Sequence, residues 1–241
     1  MDKALYAAAT GMAAQQLNLD VIANNLANAD VAGFKGSVAS FSELAAPGES
    51  GLGTTPLGEH VVFAQGRLSK ASGSFDVAID GPGFFVVIDS DGRRAYTRDG
   101  EFSRAADGTL QDAYGHKLDG VHIPSDALSV DVSENGSISV KTAHGERHAG
   151  QLRLAEFAAP EHLRSIGGTL FEATQGSGSA RLVTPGGNGP RVRFGMLEES
   201  NVGIVEAMME MLAAQRAYEA NAKGVQAADE TLRIANNLQR G

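Results

Sequence analysis

The sequence contains no cysteine, no long apolar run and no cluster of basic residues. The lack of cysteine in 241 residues excludes disulfides, thiolate metal sites and a cysteine nucleophile. No stretch approaches the roughly 18 apolar residues that a membrane-spanning helix needs. The net charge is −9 with scattered lysines and arginines, so a nucleic-acid-binding face is not expected. The N-terminus lacks the basic and apolar regions of a cleaved signal peptide, so we expect a cytosolic protein or one exported by another route.

Glycine is abundant, at 30 residues, and many glycines occur in pairs that mark tight turns. Between about residues 61 and 197 these turns separate short runs of alternating or apolar residues. Phe84–Ile88 is an apolar, β-branched run, and Arg191–Met196 alternates. Ser129–Val132 and Ser137–Val140 flank Asn135-Gly136, which predicts a hairpin. We therefore predict an antiparallel β-rich region, without the strand–helix alternation of a Rossmann-like sheet.

Both ends of the chain have helical periodicity. The first helix is predicted over residues 3–28, with an apolar residue every seven positions and a neighbouring row beside them: Leu5, Met12, Leu19 and Leu26, with Ala8 and Ile22. The second is predicted over residues 203–239 as a heptad with a large row and a small row. These rows are Ile204, Met211, Tyr218, Val225 and Leu232, and Ala207, Ala214, Asn221, Ala228 and Ala235.

The predicted fold class is α+β, with two amphipathic terminal helices forming a coiled-coil-like layer and with a central antiparallel β-rich domain. The predicted divisions are an N-terminal helix and exit turn (1–36), an irregular or extended segment (37–60), a β-rich body (61–197) and a C-terminal helix (198–241). An apolar helix stripe needs a partner. Because the first helix is about ten residues shorter than the second, the remainder favours packing between chains, and repeated head-to-tail packing makes a filament.

Four separated motifs carry a family resemblance over almost the whole chain. Ala23-Asn24-Asn25-Leu26-Ala27-Asn28 is followed by Gly33-Phe34-Lys35. The middle contains Asp76–Phe85 and Tyr96–Gly100. The C-terminal signature joins Glu199-Ser200-Asn201-Val202 to Gln215-Arg216-Ala217-Tyr218-Glu219-Ala220-Asn221. The chain thereby resembles the bacterial flagellar rod, hook and hook-junction proteins, and its length resembles that of a rod protein.

The resemblance implies a structural subunit of the flagellar basal-body rod that assembles helically in the periplasm. The sequence of Gln215–Asn221 slightly favours the distal rod type, whereas the short stretch between Phe41 and Asp76 favours the proximal type. Implied partners are further copies, other rod and hook subunits, the ring proteins of the outer bushing and the flagellar type III export apparatus. Neither nucleic acid nor a small-molecule substrate is implied, and we expect export without a cleaved signal peptide.

The candidate interface residues lie on the two helices and in the first signature: Leu5, Met12, Leu19, Ile22, Asn24, Asn25, Leu26, Asn28, Ile204, Met208, Met211, Tyr218, Val225 and Leu232. Spacing alone favours a polar helix end for the asparagines, whereas the resemblance favours contacts with a neighbouring chain. Gly33, Gly81 and Gly83 are expected to serve as turns, and Phe34 to anchor the chain on the β-rich body.

No residue pattern predicts an enzyme, and we predict no catalytic, metal or cofactor site. Asp89–Gly92 lacks the later ligands of a calcium loop. His144 and His148 have helical metal-ligand spacing, but the neighbouring glycines argue against a helix. Glu198 and Glu199 are interpreted as acids favoured near a helix start. Two other classes remain as alternatives: a cell-wall glycan hydrolase, and a periplasmic binding module on a coiled-coil stalk.

Overall fold

The computed structural model describes residues 2–44, 51, 53–89, 91–187 and 189–238. The helices are α1 (Asp2–Ala27) and α2 (Ile204–Leu238), with a 3-10 turn at Pro160–His162. The strands are β1 (Ser37–Glu43), β2 (Thr54–Val61), β3 (Leu68–Lys70), β4 (Val77–Asp80), β5 (Phe84–Ile88), β6 (Arg94–Thr97), β7 (Ser103–Arg104), β8 (Thr109–Gln111), β9 (Lys117–His122), β10 (Ala127–Val132), β11 (Ser137–Thr142), β12 (Gly145–Gln151), β13 (Leu154–Glu156), β14 (Arg164–Gly167), β15 (Leu170–Glu172), β16 (Arg181–Val183), β17 (Arg191–Phe194) and β18 (Met196–Glu198).

The chain forms two compact units, each built from separate stretches of sequence. The helical unit contains the described residues of Met1–Ala29, Gly36–Val62 and Val202–Gly241. The β unit contains Asp30–Lys35 and the described residues of Phe63–Asn201. The predicted N-terminal division ended at residue 36, whereas Asp30–Lys35 pack with the β unit.

The helical unit is built on an antiparallel helix pair. A Cβ added to Gly11 would lie 3.0 Å from Asn221 Nδ2, and one added to Gly224 would lie 3.9 Å from Ala8 Cβ. This register places the first residue of α1, Asp2, opposite Glu230. α1 has 26 residues and α2 has 35, so α1 is too short to cover α2. Residues 231–238 of α2 extend past the N-terminal end of α1.

The segment at 37–60, predicted to be irregular or extended, forms two extended strands over most of its described residues. β1 and β2 form an antiparallel hairpin whose register runs from Ser37↔Val61 to Glu43↔Thr54. The serines, threonines and glycine of these strands give little apolar alternation, so tertiary contacts decide the conformation. The Thr54 N–H donates to Thr10 Oγ1 of α1 at 3.2 Å, for example. Residues 45–50 and 52 of the predicted segment lie outside the described residues.

The β unit is dominated by a large antiparallel sheet whose main path is β10-β11-β12-β9-β5-β6-β15-β14. β5 lies inside this sheet and is buried on both faces. Its Phe85 and Val87 pack in the main core, while Phe84 joins an aromatic cluster on the other face with Phe63 and Phe171. Burial on both faces explains why the sequence of β5 is continuously apolar rather than alternating.

The α+β fold class is confirmed, since two helices flank a central antiparallel β-rich region. The predicted hairpin is also confirmed, because β10 pairs with β11 and Val132 lies opposite Ile138 across the turn at Asn135-Gly136. Over the described residues, neither helix combines the length and apolarity that crossing a membrane requires.

Candidate assembly interface

The two helices meet through the small-residue row of α2. Ala207 and Ala214 are buried, as is Ile22 of α1. The surrounding, partly buried contacts are Leu19, Leu26, Val202 and Met211. Small side chains allow closely spaced helix axes, so the predicted small row is the row that faces α1.

The opposite side of α2 carries a second apolar stripe. Val205, Met208, Met209 and Leu212 follow i, i+3, i+4, i+7 spacing, which places them on one face, and each is more than half exposed. At about 100° per residue, this exposed stripe lies across the helix from Ala207. A helix that is apolar on two faces needs two partners, and α1 covers only one of these faces.

The structure distributes the predicted interface residues between covered and exposed positions. Ile22 is buried, and six others are half-buried: Leu5, Met12, Leu19, Leu26, Met211 and Val225. Ile204, Met208 and Tyr218 are exposed. The side chain of Leu232 lies outside the described residues. The sequence did not single out Val205 and Leu212 because neither residue belongs to the two seven-residue rows of α2.

The three asparagines of the first signature have different environments. Asn25 is buried and exchanges two hydrogen bonds with Ser37: its Nδ2 donates to the Ser37 carbonyl at 2.7 Å, and the Ser37 N–H donates to its Oδ1 at 2.8 Å. Asn28 is half-buried and donates from Nδ2 to the Asn24 carbonyl at 2.8 Å, next to the end of α1. The Asn24 side chain is exposed and available to a neighbouring chain.

The second half of that signature packs inside the β unit. Gly33 has a φ of +66°, which favours glycine, and its N–H donates to the Glu198 carbonyl at 2.7 Å. A Cβ on Gly33 would lie 2.3 Å from the Asp99 nitrogen, so only glycine fits. Phe34 is buried next to it. Gly81 and Gly83 also have positive φ values, of 114° and 119°.

Two motifs converge on one buried carboxylate, that of Glu198. Lys35 Nζ donates to Glu198 Oε1 at 2.5 Å, and Arg98 Nη1 donates to Oε2 at 3.2 Å. Glu198 Oε1 also accepts from the Gly66 N–H at 2.8 Å. Further hydrogen bonds complete the buried-charge cluster, which we define as Lys35, Arg98 and Glu198: Lys35 Nζ donates to the Ala64 carbonyl and Arg98 Nη2 to the Gly81 carbonyl, both at 2.8 Å.

Burial governs the electrostatics of this cluster. Removal from water lowers the pKa of Lys35, while its hydrogen bond and attraction to Glu198 oppose the shift. Burial likewise lowers the pKa of Arg98 against the attraction of Glu198. The guanidinium also lies 5.4 Å from the centre of the Phe84 ring, a favourable cation–π distance. Glu198 was interpreted as an acid favoured near a helix start, but it ends β18, and its side chain has no solvent exposure and pairs with Lys35 and Arg98.

Three family profiles match separate parts of the chain. They are described as flagella basal body rod protein (residues 5–35), flagellar hook protein FlgE/F/G D1 domain (78–140) and flagellar basal body rod FlgEFG protein C-terminal (194–238). A flagellar basal-body rod protein FlgG of Borreliella burgdorferi is 40% identical, with 100% of both chains covered. The FlgG of Bacillus subtilis is 32% identical at the same coverage. The chain belongs to the flagellar basal-body rod protein family.

As a rod protein, the chain is a structural component of the flagellar basal body rather than an enzyme. It is a rod subunit that assembles with itself and with other axial components of the flagellum. A rod protein named FlgF, from Caulobacter vibrioides, is also similar, at 33% identity over 92% of both chains.

The buried-charge cluster is the part of the site that sequence reasoning missed. Lys35 and Arg98 lie inside two of the signature motifs, but their pairing through Glu198 spans up to 163 positions of sequence. No local pattern encodes such a contact. The available signal was compositional: Gly33-Phe34-Lys35 and Tyr96–Gly100 each contain one cation, and a buried cation requires an acid.

Proposed function

We propose that this rod protein is of the distal type and polymerises in the periplasm through its terminal helices, with the β unit as the outer layer. In this proposal it reaches the periplasm through the flagellar type III export apparatus. It then turns within the ring proteins of the outer bushing and transmits torque from motor to hook. The FlgG relatives, which match at full coverage, support the distal assignment.

The observation that carries the polymerisation proposal is the two-sided apolar character of α2. The face with Ala207 and Ala214 is satisfied by α1, whereas the stripe from Val205 to Leu212 is exposed. Contiguous exposed apolar surface on a soluble protein marks an interaction site. A second copy of the chain can supply the contact that this exposed stripe lacks.

Two further features of the helical unit support contacts between chains. Residues 231–238 of α2 run past the start of α1, and Ile234 there is exposed. A groove of about 470 Å³ lies among α1, β1 and α2. Gln15, Asn18 and Glu210 line it beside the exposed Val38, so it offers polar partners next to an apolar contact.

Met209→Asp tests the exposed stripe directly. The charge falls on an exposed position, so the isolated protein should keep its helical content and melting temperature. Buried in a subunit contact, the same carboxylate would be desolvated without a partner. We therefore expect loss of polymers in sedimentation velocity of concentrated protein, and loss of rods and swimming in cells.

Gln226→Asp is the matched control, because it places an identical charge at an exposed polar position of α2, outside the stripe and outside the signature at Gln215–Asn221. It should assemble like the unmodified protein. If Met209→Asp assembles as well as Gln226→Asp does, the stripe is not a subunit contact.

A further inference from the structure

The two end strands of the main sheet path share an irregularity. β10 and β14 are the first and last strands of that path, and each contains a break in register. In β10 the break lies between Ala127 and Ser129, and in β14 between Ser165 and Gly167. The residues at these bulges are apolar and face solvent: Leu128 is 72% exposed and Ile166 is 49% exposed.

Bulges on edge strands re-aim side chains and discourage continuation of the ladder. Adding a strand by backbone pairing is therefore disfavoured at both edges. What the bulges present instead is an apolar side chain at each end of the path. A contact here would use side-chain packing.

Ile166 borders a groove of about 490 Å³ at the β14 end. Tyr114 lines the same groove and is 72% exposed. A Cβ on Gly168 would lie 3.8 Å from the Tyr114 ring, so the ring rests against the β14–β15 turn. The charged or titratable residues of the lining are Asp89, Arg93, Arg94, His116, Arg164 and Glu172. Exposed tyrosine and arginine beside an exposed apolar residue in a groove are typical of protein interfaces.

The charges at the two ends are complementary. Arg93 and Arg164 are paired with nearby acids, whereas Arg94 has no ion pair or hydrogen bond among the described side chains. Around Leu128, Asp126 and Asp131 are exposed and also lack partners among the described residues. Lys141 lies across the ladder from Ser129, and among the described residues it forms no ion pair with either aspartate. An uncompensated anion thus lies beside the Leu128 protrusion and an uncompensated cation lies in the groove.

We propose that Leu128 of one copy inserts into the Ile166–Tyr114 groove of the next copy, with Asp126 or Asp131 near Arg94. This inference rests on the proposed function, because it adds a contact between β units to the helix contacts of the same polymer. The protrusion and the groove are different surfaces of one chain, so the contact is head-to-tail. Head-to-tail contacts build open filaments, with a free protrusion at one end and a free groove at the other, when the rotation between copies does not close a ring.

Cysteine cross-linking in assembled rods tests this contact, because the chain has no cysteine of its own. The double variant Leu128→Cys with Ile166→Cys would replace the native copy in cells, and isolated basal bodies would be oxidised and run on a non-reducing gel. A disulfide requires Cα atoms within roughly 7 Å. We expect a ladder of dimers, trimers and longer chains, whereas either single variant should remain monomeric.

The matched control is Leu182→Cys with Ile166→Cys, because Leu182 of β16 is another exposed apolar residue of the β unit. We expect about tenfold less cross-linking there, since a disulfide forms only between neighbouring positions. Leu128→Lys gives a second readout. It should reduce rod number while Leu182→Lys leaves it unchanged, because lysine would face Arg94.

The outcomes separate this contact from the proposed function. Rods of normal appearance without a ladder, or normal rods from Leu128→Lys, would overturn the contact and leave the rod function standing. If the Leu128→Cys variant cross-links to a different protein, the proposal that Leu128 contacts a second copy of this chain is overturned. If a tagged but otherwise unmodified chain is absent from rods, the proposed function fails, and the contact fails with it.

Discussion

Lys35 and Glu198 form an ion pair with no solvent exposure on either side chain, although 163 positions separate them in the sequence. Arg98 binds the other oxygen of the same carboxylate. Lys35 lies in the segment that follows α1, and Glu198 lies in β18, the strand that precedes α2. Both segments belong to the β unit. A carboxylate shared by two cations therefore fixes the positions of three segments that the sequence leaves far apart.

Lys35→Met should destabilise the protein by about 3–5 kcal/mol, because it leaves a buried charge without one of its partners. Methionine keeps the length of the side chain, so lost packing contributes little. The midpoint of urea unfolding, followed by circular dichroism, measures the change.

Arg67→Met is the matched control for that substitution. Arg67 pairs with Glu199, the residue next to Glu198, but its side chain is 80% exposed. Its removal should leave the urea midpoint within experimental error, since exposed pairs contribute little. Equal effects of the two variants would show that burial does not determine the strength of the Lys35 pair.

Asn25→Ala and Asn24→Ala separate the two interpretations of the first signature. Removing Asn25 strands the N–H and carbonyl of Ser37, which is itself buried. Unsatisfied buried groups cost about 1–3 kcal/mol, so the melting temperature of the isolated protein should fall. Asn24 is exposed, and Asn24→Ala should leave that temperature unchanged.

The same pair of variants is informative in assembly. If Asn24 contacts a neighbouring chain, Asn24→Ala should weaken polymers in sedimentation at constant monomer stability. Unchanged assembly would leave the asparagine signature with a role inside the chain only.

The parts of the fold that were predictable are those encoded by local periodicity. The helix over residues 3–28 and the hairpin at Asn135-Gly136 follow from apolar spacing and turn chemistry, and α1 and β10–β11 lie there. The β1–β2 hairpin escaped prediction because its serines and threonines carry no clear alternation. Its strands are stabilised by contacts such as Asn25–Ser37, which are invisible in a local window.

For the candidate site, the sequence located the helices but did not resolve their faces. Ala207 and Ala214 were recognised as a small row, and they do face α1. The exposed stripe containing Met209 was not separated from the heptad, because only the structure shows which face α1 covers. The buried-charge cluster was unpredictable for another reason: its members are distant in sequence and individually ordinary.

Gly33→Ala should be more destabilising than Gly178→Ala. Both glycines have positive φ, +66° and +76°, so alanine costs about 1–2 kcal/mol of backbone strain at either position. Only Gly33 adds a clash, since its Cβ would meet backbone atoms of Arg98 and Asp99, whereas no atom of the described residues lies within 4 Å of a Cβ at Gly178. The difference in urea midpoints measures the clash alone, and equal midpoints would mean that the backbone there yields freely.

Asp99 should make the protein less stable as the pH rises from about 4 to 6. Burial raises the pKa of Asp99 to about 6, whereas the unfolded value is near 3.9. Between these values the folded state binds more protons than the unfolded state. The free energy of unfolding therefore falls with rising pH in this window.

Asp99→Asn removes that titration while retaining an oxygen for the Glu101 N–H, which donates to Asp99 Oδ1 at 3.0 Å. The variant should match the unmodified protein at pH 3.5 and exceed its stability at pH 7.5 by up to about 3 kcal/mol, at 1.36 kcal/mol per pKa unit. Urea unfolding of both proteins across this range measures the difference in their free energies of unfolding at each pH. Groups that titrate identically in the two proteins do not contribute to this difference. A difference that is constant from pH 3.5 to 7.5 would place the pKa of Asp99 at its ordinary value and would contradict the effect of burial.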